Sequence, residues 1–318
     1  MNVMMGYGKR WIGLCLLAGL FHVGPAQAAG SLSIDLLFTI DRAEPDGRLL
    51  KPGGIDCDTL RGEIYLADRG RKEVLVYDEA GRFLRKIDRS SGIRIPFRLL
   101  VDPSGTLIVG EERESKLRYT DLTGRPIGEE SLIMDPDTGI LPGGMAIGTG
   151  GDLLVVDRFG EGVWRINRMA GRPERFFDPA GRDDGKIELQ DIALTREGKA
   201  IIISSKGYGV RVIDPAGIPM TRFGAHGSQP SDFSFPISVA IDRRGRLWVV
   251  DTFQHAVKVF LQDGTFVTEL GGMGTEPGRF FFPVDITFGS DNRLYVLEKG
   301  VPRFQAFQVH EPDEEPGK

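Results

Sequence analysis

The 318 residues carry 40 Lys and Arg against 45 Asp and Glu, a formal charge of −5, with 41% hydrophobic and 27% charged side chains. That balance describes a folded soluble chain, too apolar for disorder and without an overall basic field to draw nucleic acid. With 43 Gly and 19 Pro the chain is too rich in helix breakers for a helix bundle, which points to a turn-rich β protein.

The chain opens with Lys9 and Arg10, an eleven-residue apolar run at 11–21 and then Ala26, Gln27 and Ala28. Basic start, apolar stretch and small-x-small site follow the order of a secretory signal. The run falls short of the ~20 residues a membrane span needs. Leu14 before Cys15 is not the small residue of a lipoprotein signal. Residues 1–28 are therefore expected to be a signal peptide cleaved before Ala29, leaving a periplasmic or secreted chain with no membrane span. Removing them takes away Lys9, Arg10 and no acidic residue, so the formal charge moves from −5 to −7. Cys57 then stands alone, unable to form an internal disulfide, and its alternating surroundings suggest a buried structural thiol.

Next comes an isolated strand-like segment, SIDLLFTID at 33–41, and then one unit written six times. GEIYLAD (62–68), GTLIVGE (105–111), GDLLVVD (151–157), GKAIIIS (198–204), GRLWVVD (245–251) and NRLYVLE (292–298) begin 43, 46, 47, 47 and 47 residues apart. Each starts with Gly or Asn, which tolerate the positive φ of a tight turn, and continues as a short strand. Upstream, Pro52, Pro96, Pro142, Leu189, Pro236 and Pro283 each open an alternating apolar stretch. Downstream, Val74, Leu117, Val163, Val210, Val257 and Phe304 recur at identical spacing. Turn signals and a fourth strand close most units. Four short strands per unit, apolar on both faces, must pack against neighbouring units, and a closed ring leaves no end unit exposed.

The expectation is an all-β, six-bladed propeller of four-stranded antiparallel blades occupying 29–310 as a single domain and monomer. The sixth unit lacks a fourth strand, so the N-terminal strand is expected to supply it. The tail at 311–318, EPDEEPGK, is acidic and expected to be disordered.

Residues 236–264, with PxxVAID, then GRLWVVDTFQHAVKVF and Asp-Gly, resemble the NHL repeat, as do the linkers at 223–236 and 270–283. The resemblance spans about 52–309 and implies an NHL-type propeller, a platform that hosts unrelated functions. Two enzyme branches of such propellers prompt a search for their signatures. The amidating lyases hold zinc through several histidines, but beyond residue 28 only His226, His255 and His310 remain, none suitably clustered in the repeat. The gluconolactonase and paraoxonase propellers hold calcium at the channel mouth through acidic and amide oxygens. Asp191 and Asp285, at equivalent inner-strand positions, are the candidates for such a cation, and a lactonase or esterase is the alternative function. The chain has no nucleophile elbow, phosphate loop or dinucleotide fingerprint. Asp68, Glu111, Asp157, Asp251 and Glu298 recur once per unit, which suggests that they bond nearby backbone amides, and Ser204 breaks their series.

The loops after these positions share one face of a propeller. They read RGRK, ERES, RFGE, SKGY, TFQH and KGVP, seven basic residues against three acidic. Arg69, Arg113, Arg158, Lys206 and Lys299 are thus candidate ligand contacts, with Phe159, Tyr208 and Phe253 supplying aromatic surface. The expected function is a binding scaffold, with no catalytic residue and no cofactor, for a protein segment or an anionic glycan at the channel mouth.

Overall fold

The computed structural model describes residues 32–43, 47–135, 138–159, 162–167, 173–179 and 187–311. The expected signal peptide, the Ala29 junction and residues 312–318 lie outside the described residues. Glu311, which the sequence places in the acidic tail, is itself buried and accepts from Arg246 Nη2 at 2.8 Å.

Six four-stranded antiparallel sheets form the blades of a propeller. The innermost strands are Pro52–Asp58, Pro96–Asp102, Pro142–Ile147, Leu189–Leu194, Pro236–Ile241 and Pro283–Phe288. Each pairs with the repeated phrase that follows it. Gly62, Gly105, Gly151, Gly198, Gly245 and Asn292 join those two strands, and all six have positive φ, between 59° and 91°. One backbone requirement therefore explains why every unit begins with Gly or Asn.

Six apolar clusters lie between neighbouring blades. Tyr65, Val76, Leu99 and Val109 fill the space between the first and second. Trp248, Val250, Ile286 and Val296 do so between the fifth and sixth. Both faces of each sheet are apolar because both are covered.

The ring closes as the orphan strand suggested. Ser33–Ile40 pairs antiparallel with Arg303–His310 and completes the sixth blade, and its Phe38 meets Phe304 edge-on at 6.3 Å between ring centres. Two short ribbons, Arg42–Ala43 with Gly47–Arg48 and Ile133–Asp135 with Thr138–Gly139, stand outside the repeat and were not foreseen. No helix among the described residues is long and apolar enough to cross a membrane.

Candidate functional site

The recurrent carboxylates anchor the loops. Asp68 accepts from the backbone amides of Leu50, Lys51, Gly70 and Arg71 at 2.8–3.1 Å. Asp251 accepts likewise from Ser234, Phe235, Phe253 and Gln254. Each therefore ties its own loop to the linker entering the same blade, and fixes where the next side chains leave the backbone. His255 is also structural: its Nδ1 accepts from Phe282 N at 3.0 Å. That contact requires the neutral ring, and burial holds the imidazole pKa below its ordinary value.

On this loop face five candidate side chains meet around one cavity of about 550 Å³. Arg69, Arg113, Arg158, Phe159 and Lys299 line it, with Phe97, Arg98 and Glu112. Arg69 Nη1 donates to Glu112 Oε1 at 2.6 Å, and Arg158 Nη2 donates to the Glu112 carbonyl at 2.6 Å. Phe97 forms a shared apolar wall: the guanidinium carbons of Arg158, Arg69 and Arg98 lie 4.3, 5.3 and 5.3 Å from its ring centre. Burial, with Arg69 and Arg98 nearby, pushes the Arg158 pKa down. Partial desolvation and Arg69 do the same to Lys299. Arg113 and Lys299 have no ion-pair partner among the described residues.

The other three candidates do not line this cavity. Lys206 pairs with Glu188 and lines a separate cavity of about 260 Å³ with His226. The Tyr208 ring lies under the Arg222 guanidinium, 4.4 Å from its carbon. Phe253, 55% exposed, stacks on Phe235 at 4.7 Å between ring centres. Repeat register fixes where each loop stands, but neighbouring side chains decide which way its residues turn.

Sequence reasoning missed Phe97 and Arg98 because both sit on an inner strand, not a loop. A signal existed. The third inner-strand position reads Gly54, Arg98, Gly144, Asp191, Ser238 and Asp285 around the ring. Arg98 is 6% exposed and reaches past the first blade to the sixth, where its Nη1 lies 2.9 Å from Asp285 Oδ1. Gly54 leaves it room, since a Cβ there would lie only 3.0 Å from Phe97 O and 3.2 Å from Arg98 Cα. Arg98 lines both the loop-face cavity and a second channel cavity of about 310 Å³.

Asp191 and Asp285 do line the channel, but each carboxyl group is already bonded within the fold. Asp191 Oδ2 accepts from Val239 N at 3.0 Å and Asp285 Oδ2 from Ile55 N at 2.9 Å, each bridging to the next blade. Ser238 Oγ lies 2.7 Å from Asp191 Oδ2 and 2.6 Å from Asp285 Oδ1. A hydroxyl has one hydrogen, so one carboxyl group must donate in return. Asp191 takes that role as pH falls through about 6, where burial holds its pKa despite the pull of Arg98. Calcium asks for six to eight oxygen donors. Here a guanidinium and backbone N–H groups already bond the two carboxyl groups, and two such groups fall short of that number, so the residues present do not fit the ion. No three His, Cys, Asp or Glu side chains among the described residues converge to hold a metal.

The fold is similar to that of several solved propellers. Streptogramin B lyase matches at a TM-score of 0.61 and 14% identity, over 90% of this chain and 100% of that one. A gluconolactonase from Xanthomonas campestris matches at 0.65 and 16%, over 90% of this chain and 93% of that one. A Bacteroides thetaiotaomicron protein of unknown function matches at 0.69 and 13%, over 88% and 76%. At such identities the likeness is one of fold alone. No protein-family model and no curated protein matches the sequence.

Proposed function

We propose that this chain is an exported NHL-type propeller that binds rather than catalyses, and that its loop-face cavity receives an acidic group of an anionic glycan or protein segment. One observation carries the reading: Arg69, Arg113, Arg158 and Lys299 come from four different blades to one cavity on a chain whose net charge is negative. Individual exposed ion pairs contribute only about 0–1 kcal/mol, so the convergence matters more than any member. Phe97 and Phe159 add the apolar area that charge alone lacks. Export rests on the basic, apolar and small-residue order of 1–28, and the NHL reading on residues 236–264.

The binding test is charge reversal at the two unpaired cations. Arg113→Glu with Lys299→Glu should abolish retention of a sulfated glycosaminoglycan and of polyglutamate at physiological salt, with the melting temperature unchanged. A parent protein that retains neither probe, or a variant that retains both as well as the parent, would sink the reading. Export is tested separately by N-terminal sequencing of the protein from its own host. Ala29 is expected as the first residue, and a retained Met1 would refute cleavage.

A further inference from the structure

The loop-face cavity holds more positive charge than its own walls neutralise. Five cations line it, Arg69, Arg98, Arg113, Arg158 and Lys299, and Glu112 is the one carboxylate among its lining residues. Asp285, from the layer below, offsets part of Arg98 but is shared with Ser238 and Ile55 N. The Nε atoms of Arg69, Arg98 and Arg158 are buried and meet no acceptor. A buried donor without an acceptor is costly, and three guanidinium groups around one phenyl ring repel each other. An incoming anion with more than one negative charge would balance such a set.

The shape limits what that acceptor is. Arg98 lines both this cavity and the second channel cavity, and its guanidinium reaches Asp285 of the sixth blade, so it stands where the two meet. Its volume of about 550 Å³ falls in the range of small-molecule sites. Resting on the reading of this cavity as an anion site, and not on the anion being part of a polymer, the geometry points to a free, compact dianion of the short dicarboxylate class. One carboxylate reaches Arg98 at the floor, and the other meets Arg113 and Lys299 at the rim. Arg98 is then the residue that distinguishes two charges from one, because only a ligand with a second acidic group engages floor and rim together. A planar forked donor suits a carboxylate better than a point charge does.

The experiment is calorimetric titration of the mature protein with succinate, glutarate and butyrate at constant ionic strength. Succinate or glutarate should bind at least roughly tenfold more tightly than butyrate, the size of one charge-assisted hydrogen bond. Arg98→Lys, which keeps a cation beside Asp285 but removes the fork, should weaken the dicarboxylates and leave butyrate unchanged. Arg98→Met with Asp285→Asn, which removes both charges together, should bring the ratio close to one. Equal binding of mono- and dicarboxylates by the parent overturns the dianion while leaving the anion site standing. So does retention of the glycosaminoglycan without binding of any small acid. If the parent binds neither the small acids nor the two polymers, both readings fall together.

Discussion

Asp56 shows how one buried carboxylate sets a pH response. It accepts from Val101 N at 2.8 Å and from Thr287 Oγ1 at 3.0 Å, joining the first blade to the second and the sixth. Burial nevertheless pushes its pKa up to about 6 from 3.8. The folded chain therefore binds this proton more tightly than the unfolded chain. The group costs nothing below pH 4, and its destabilising effect grows as pH rises through 4–6, reaching up to about 3 kcal/mol at neutrality. Asp56→Asn keeps an acceptor for Val101 and gives Thr287 a donor in place of a carboxylate oxygen. The variant should melt about 5 °C above the parent at pH 7.5 and level with it at pH 4, measured by calorimetry. A gain of equal size at both pH values would refute the titration. The same scale shows what was legible in the chain. Arg69, Arg113, Arg158, Phe159 and Lys299 could be placed from repeat register, because register sets the backbone. Lys206, Tyr208 and Phe253 could not, because Glu188, Arg222 and Phe235 turn them elsewhere. Arg98 was legible as a lone arginine in channel register, but it went unread among the inner-strand residues.

At the scale of elements, the repeated phrase located four strands per blade because each turn glycine and each anchoring carboxylate stands at a fixed spacing. The ribbons Arg42–Ala43 with Gly47–Arg48 and Ile133–Asp135 with Thr138–Gly139 escaped because they lie in the linkers entering the first and third blades, outside the repeated phrase. The strand Ser33–Ile40 was readable from what the sixth unit lacks. Ile34, Phe38 and Ile40 of this strand pack on the clusters at either side of the sixth blade. Deleting residues 32–41 releases these three half-buried side chains, each worth roughly 1.5 kcal/mol, and lowers the melting temperature by about 10 °C. It also bares Arg303–His310 as a sheet edge, so self-association is expected in sedimentation. A monomeric variant with the parent's melting temperature would show that the strand contributes no closure.

Across the whole molecule, stability is distributed evenly around the ring while charge is not. Six similar apolar clusters hold the blades, but five cations, Arg98 among them, line one cavity at the loop face. Similar packing on every side makes the scaffold indifferent to which loops it carries, and so leaves the mouth free to specialise. The closing strand also sets an order of events. Thr39 Oγ1 meets Gln305 across 266 residues of chain, so the first strand to be synthesised is the last to find its partner. Without Arg303–His310 the leading segment has no sheet to join and the sixth blade lacks both of its outer strands. Loop-closure entropy grows only slowly with length, so the wait costs time far more than free energy. A ribosome stalled before Arg303 would therefore hold nearly every residue of the fold and still not hold the propeller.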